Sequence, residues 1–307
     1  MTDRLRVLVV GATGCIGSRL TDALVAQGHD VVAFSRSASQ STFPYGVETF
    51  DGDLGDPASV DGLCEDVDVA YYLIHSLRAE NFAELDRRYA RRFREMASAA
   101  GVDRVVYLSG ISRDDELSPH LASRREVESV LASGSFDLTV LRAAIVIGPQ
   151  SASFRIVDDL TDRVPVLFAP LAVRTPCQPI YVSDAVEYLA ALLDVDETCG
   201  ATYDVGGPGV WCYESILELT AAEKGRRIAV VPTPMLTPEV AAFGLRFVTD
   251  VPHPITRALL ESIRHPVTVH PDRDLQDVVP IDRTHIETAI RRALAGSRAD
   301  AVAGRVR

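Results

Sequence analysis

The chain has 307 residues, of which 47% are hydrophobic and 24% charged, and it carries a formal net charge of −12. This balance suits a globular protein with a sizeable core and argues against non-specific nucleic-acid binding, which needs a basic face to displace counterions; no apolar run approaches the roughly 18 residues that span a bilayer. The five cysteines (Cys15, Cys64, Cys177, Cys199, Cys212) form no CxxC pair and no His/Cys cluster, so neither a disulfide framework nor a metal site is expected, and the protein is read as cytoplasmic.

No leader-like stretch precedes the first apolar run in MTDRLRVLVV. From there, β-branched runs predict buried strands over 5–10, 31–34, 47–50, 69–74, 105–108 and 138–147. Helical patterns predict helices over 16–27, 58–64, 82–100 and 122–132. In the third of these, Phe82, Leu85, Tyr89, Phe93 and Met96 recur at intervals of three and four and form one apolar face. The arginines among them (Arg87, Arg88, Arg91, Arg92, Arg94) read as its solvated side. Such alternation predicts an α/β fold, a doubly wound parallel (Rossmann-like) sheet with right-handed crossovers and helices on both faces.

Past Gly148-Pro149 the pattern loosens. A helix is expected near 154–160, then a strand over 179–182 and a helix over 184–193 with Ser183 or Asp184 as its cap. Beyond 206 come short helices and proline-rich connections, closing on a helix over 283–295. The expected organisation is a nucleotide-binding domain over 1–150, rejoined by 178–206, with 151–177 and 207–300 forming a small C-terminal lobe for substrate or partner. Lys224 is the only lysine. An acid-rich, lysine-poor surface resembles those of proteins from salt-loving cells, where a screening length of roughly 3 Å at 1 M salt removes self-repulsion; arginine-favouring codons give the same composition.

The stretch VLVVGATGCIGSRL is a buried strand, three glycines and a helix start. Gly11 allows the tight turn off the strand, Gly14 lets backbone amides approach a diphosphate, and Gly17 permits close packing of helix on sheet. With Thr13, Cys15 and Ile16 they form the expected phosphate loop of a dinucleotide site. At the end of the second strand, where an NAD-type site places an acidic residue, stand Ser35 and Arg36. A hydroxyl and a fixed cation suit a 2′-phosphate, so NADP(H) is expected over NAD(H). After the third strand, GDL places Asp53 and Leu54 to meet the adenine amino group and ring face, with Asp56 as the better cap for the helix near Pro57.

With this loop, Ser35-Arg36, GDL, AYYLIHS (70–76), VVYLSG (105–110), VLRAAIVIGP (140–149), QPIYVSDAVEYL (178–189) and YDVGGPG (203–209), the first 210 or so residues resemble the short-chain dehydrogenase/reductase superfamily. The likeness is to its atypical and extended branch, with NmrA-like proteins and the NAD(P)H-binding accessory subunit of respiratory complex I. The resemblance implies that Leu73, Ile74 and His75 pass close to the nicotinamide ribose. It also implies that Ser109 orients a substrate carbonyl. The superfamily's catalytic tyrosine and lysine fall on His120 and Arg124. Since the sole lysine is at 224, no Tyr-x-x-x-Lys exists anywhere in the chain.

Two readings follow. In one the protein is a reductase of a small carbonyl, enone or imine, with Ser109, His120 and Arg124 as its catalytic set. An unperturbed histidine, with pKa about 6.5, would serve either direction of proton transfer near neutrality. Arg124 would supply the lysine's charge without its proton. In the other, His120 is a surface residue capping a helix and the protein is a non-catalytic NAD(P)H sensor or accessory subunit with a protein partner. PEVAAFGLRFV at 238–248 would then contribute an apolar patch or cover a cleft. Arg142 and Arg174 are further candidates for facing an anionic substrate, and Tyr72 and Tyr107 are expected to be packing residues.

Overall fold

The computed structural model describes residues 4–112 and 117–304. In order, the main elements are β1 (Arg6–Val10), α1 (Gly17–Ala26), β2 (Asp30–Ser35), β3 (Glu48–Asp51), β4 (Val69–Tyr72), α2 (Phe82–Ala100), β5 (Arg104–Gly110), α3 (Pro119–Leu131), β6 (Asp137–Ala143), α4 (Ala152–Arg163) and α5 (Val182–Ala191). A strand at Thr202–Val205 follows, then α6 (Tyr213–Glu223), α7 (Pro238–Leu245), α8 (His253–Ser262) and α9 (Ile286–Gly304). The period-two pattern of β1 sets the layering. Val7 and Val9 pack with Leu20 and Leu24 of α1 and Ala185 and Leu189 of α5, while Leu8 and Val10 pack with Ala90 and Phe93 of α2 and Val127 of α3. A strand apolar on both faces belongs in the middle of a sheet covered on both sides.

The sheet has seven strands, all parallel, in the order Thr202–Val205, β6, β5, β4, β1, β2, β3. Chain direction across the sheet reverses between β1 and β4. That reversal opens a crevice at the strands' carboxyl ends, where open α/β sheets bind ligands. The chain is thus the doubly wound fold that its alternation predicts.

The elements depart from expectation where local geometry overrides pattern. The expected helix at 58–64 is a single turn at Pro57–Val60, because Gly62 and Asp66 take left-handed backbone with φ of +75° and +56°. Asp56 caps that turn, accepting from the Ala58 amide at 3.2 Å. The strand expected over 138–147 breaks after Ala143, and Val146–Ile147 pairs with Ile180–Tyr181 instead of continuing in the sheet. Helix α3 starts at Pro119, capped by Ser118, which accepts from the Leu121 amide at 3.3 Å. Neither Ser183 nor Asp184 caps α5. The Asp184 carboxylate accepts from the Thr284 amide (2.7 Å) and hydroxyl (2.8 Å), and so ties the C-terminal segment to α5.

Beyond the carboxyl ends of the sheet, a parallel pair formed by Val166–Pro170 and Ala229–Thr233 packs with α4, α6, α7 and α8. Their core includes Ile156, Leu160, Leu217, Leu245 and Ile255. Lys224 braces this region: its ammonium donates to the Asp158 carbonyl (2.7 Å) and Thr161 hydroxyl (2.9 Å) and pairs with the carboxylates of Asp158 and Asp162. Among the described residues, no helix is long and apolar enough to cross a membrane.

Candidate functional site

The loop after β1 has the geometry of an anion cradle. Gly11 takes φ of +96°, and the amides of Gly11 and Ala12 both donate to the Phe34 carbonyl (2.9 and 3.1 Å), which fastens the turn to β2. At Gly17 a Cβ would lie 2.2 Å from the Gly11 oxygen, so α1 sits directly on the turn. At Gly14 a Cβ would meet only that same oxygen, at 3.3 Å, and the residue borders open space. The first turn of α1 has no side-chain cap. The Ser18 and Leu20 amides bond to the Gly14 and Ile16 carbonyls, and the positive end of the helix dipole suits an anion. A diphosphate fits this cradle. Gly11, Gly14, Cys15, Ile16 and Gly17 line the adjoining cavity, whereas Thr13 is exposed on the loop.

At the end of β2, Ser35 is buried and accepts from the Ser37 amide at 3.2 Å. Arg36 is exposed and makes no ion pair among the described residues. Asp53 is held by the Gly55 amide (2.6 Å) and donates its own amide to the Ser59 hydroxyl (2.9 Å). Leu54 is packed in the core beside Val60 and Phe93. Leu73 and His75 line the cavity; Ile74 packs against the core on the α2 side.

The cavity holds about 840 Å³ and runs from the glycine loop past the ends of β4, β5 and β6 into the space among α4, α6, α7 and α8. Ser109, His120 and Arg124 all line it. The Ser109 hydroxyl is buried and has no partner among the described residues.

His120 is not a surface cap; that task belongs to Ser118. Its Nδ1 lies 3.3 Å from the Ser262 hydroxyl, which is 2.8 Å from the Ser118 hydroxyl and donates to the Ala258 carbonyl at 2.8 Å. A carbonyl only accepts, so the one Ser262 proton goes there, and Ser262 must accept from both Ser118 and His120. This assigns the proton to Nδ1 and leaves Nε2 a bare acceptor, buried without a partner. Burial first, then the positive charge of Arg124 and the neighbouring His75, hold the imidazole well below its ordinary pKa of 6.5. At neutral pH Nε2 of His120 is therefore an acceptor, and the ring takes a second proton only at a pH well below 6.5. Ser262 lies 142 residues away in sequence and carries no local signal.

Arg124 donates to the Tyr107 hydroxyl at 3.4 Å. Burial opposes its charge, but Tyr107, Asp86 and Tyr72 outweigh that and hold its pKa above the ordinary value. Tyr72 and Tyr107 are core residues, as expected. His75 has exposed ring surface because it opens onto the cavity, yet the surrounding protein, with Arg124 and Arg78, pushes its pKa down to about 3. Arg78, which the sequence did not single out, also lines the cavity. Arg142 and Arg174 do not. Arg142 is held by both oxygens of buried Glu128, and Arg174 pairs with Glu214 at 2.7 Å.

A parallel sheet with its glycine cradle at the β1 end defines a Rossmann-type dinucleotide-binding protein. Residues 11–164 match the NAD(P)H-binding family model, and the chain belongs to that family, within the atypical branch of the short-chain dehydrogenase/reductase superfamily. It is 29% identical over 190 residues to a ceramide reductase of Caulobacter vibrioides, a match spanning 60% of each chain. It is 26% identical over 242 residues to the mitochondrial NADH-ubiquinone oxidoreductase 40 kDa subunit of Neurospora crassa, covering 75% of this chain and 64% of that one. The fold superposes on the Citrobacter triphenylmethane reductase complexed with NADP(H) with a TM-score of 0.76, at 19% identity, over 94% of this chain and 99% of that one.

Proposed function

We propose that the protein is an NADPH-dependent reductase acting on a carbonyl, enone or imine carbon in the cavity beside Ser109 and His120. The observation that carries this reading is the pair of buried, unpartnered polar atoms, Ser109 Oγ and His120 Nε2, in residues lining the cavity that the glycine loop borders. Buried polar atoms without partners are rare and call for an explanation; we take a bound ligand to complete their bonding. A reduced nicotinamide held on the glycine loop would supply the hydride. Ser109 donates to the substrate oxygen, and Arg124 holds positive charge where the superfamily's lysine would. His120, when protonated, gives the oxygen its proton; in the oxidative direction its bare Nε2 takes that proton back. The preference for NADPH rests on Arg36, an unpaired guanidinium at the end of β2. The name of the Caulobacter relative supports a reductive activity. NADPH consumption with a panel of ketones, enones and imines tests the proposal; consumption by none of them would reject it.

A second reading, a non-catalytic NAD(P)H-binding subunit, draws on the exposed apolar side chains Met235 (92%), Phe243 (56%) and Phe247 (78%) around α7 and on the relative in respiratory complex I. It requires tight NADPH binding without turnover.

A further inference from the structure

The charged groups of the cavity are confined to its nucleotide end. From Ala152 onward no residue lining it is charged, and the walls are aliphatic or aromatic side chains such as Leu160, Phe168, Leu217, Val240, Leu245 and Leu259. Phe168 and Val240 border the space while keeping 63% and 59% of their surface exposed, apolar area that an occupant would cover. The cavity's volume of about 840 Å³, which includes the part beside the glycine loop, lies within the roughly 300–1,000 Å³ of small-molecule sites. Beyond Ala152 the side chains of α4, α6, α7 and α8 on these walls offer a polyhydroxylated ligand few partners, the hydroxyls of Ser153, Tyr213 and Ser262, so most of its hydroxyls would be buried unpaired.

We infer that the occupant is a single long aliphatic chain with the reacting carbonyl at its head: the head lies by Ser109 and His120, and the tail runs into the apolar chamber between α4, α6, α7 and α8. Only the carbonyl depends on the reductase reading; occupancy by a hydrocarbon chain does not. Gly244 of α7 gives access to the chamber from within, since it lines the space and a Cβ there meets no atom within 4 Å.

The test has a binding arm and a turnover arm, both on the full chain. Straight-chain alcohols from butanol to decanol are titrated without cofactor, by displacement of anilinonaphthalene sulfonate. Affinity should rise about fourfold per methylene, and a flat series would overturn the inference. The Gly244→Phe variant should lower the ratio of decanol to butanol affinity at least tenfold, with NADPH affinity reporting an intact fold. An unchanged ratio in a protein that still binds NADPH would also overturn it, and if the variant does not fold the wild-type series decides. In the turnover arm, kcat/KM for methyl ketones from butanone to decanone should climb in parallel. Alcohol binding that climbs with length, without ketone turnover, keeps the chamber assignment and removes the reductase reading. Turnover insensitive to length does the reverse.

Discussion

Adding one methyl group at Gly17 or at Gly14 separates the two tasks of the phosphate loop. At Gly17 the new Cβ would sit 2.2 Å from the Gly11 oxygen and 2.9 Å from Ala12 Cα, where ordinary contacts begin at 3.4 Å. The opposing atoms are backbone and cannot swing aside, so α1 must withdraw by roughly 1 Å. Overpacking of this kind costs about 1–3 kcal/mol, and the same withdrawal takes the positive end of α1 away from a diphosphate. At Gly14 the only neighbour is the Gly11 oxygen at 3.3 Å, so alanine leaves the backbone in place and puts its methyl in the open space the diphosphate needs. Gly14→Ala should therefore unfold within about 0.5 kcal/mol of the parent while losing about tenfold or more in NADPH affinity, roughly 1.4 kcal/mol. Gly17→Ala should lose both stability and affinity. Urea denaturation and calorimetric titration of the two variants measure the two quantities. A Gly17→Ala protein as stable as the parent, or a Gly14→Ala protein that binds NADPH unchanged, would refute the seating of the dinucleotide on this loop.

Arg36→Asp should reverse the preference between NADPH and NADH, and an unchanged affinity ratio would remove Arg36 from the cofactor site. Reductive kcat should rise as pH falls below 6.5, because the proton on His120 is held only toward its lowered pKa; His120→Ala should abolish that rise, and a flat profile in the parent would exclude the histidine as proton donor. Glu128→Ala strands the buried Arg142 guanidinium, held by hydrogen bonds to both carboxylate oxygens, one at 3.0 Å, and should destabilise the fold by about 3–5 kcal/mol in urea. Pairing it with Arg142→Met should recover most of that loss.

The cofactor half of the molecule was legible because its signals are local. The glycines of the loop sit three apart, and the apolar face of α2 repeats within one helix, whose observed bounds are Phe82–Ala100. The edge strand Thr202–Val205 went unread because it is short and carries Asp204, a residue that sequence pattern places at the surface. In the fold Asp204 is 3% exposed and accepts from the His270 amide at 3.0 Å. The tautomer of His120 was equally hidden, since it depends on Ser262 at the far end of α8. The apolar chamber is assembled from α4, α6, α7 and α8, four separate helices with their faces turned inward. None of them carries a motif.

One substitution orders the chemistry of the remaining groups. A lysine at position 124 could lose its proton, and its field with it; an arginine cannot, so a permanent cation stands beside both His75 and His120. That charge, added to the burial of His120 and to the protein packed around His75, keeps both imidazoles neutral, while Tyr107 and Asp86 hold the guanidinium charged in turn. The site therefore offers a fixed positive field, a bare imidazole nitrogen and one free hydroxyl on Ser109. On the reductase reading, the Ser109 hydroxyl and the field of Arg124 hold a carbonyl oxygen at any physiological pH, while His120 delivers a proton only when acid overcomes the field of Arg124. Replacing Arg124 with glutamine should then raise the pKa of both histidines together, a change that titration of their ring protons by NMR would read directly.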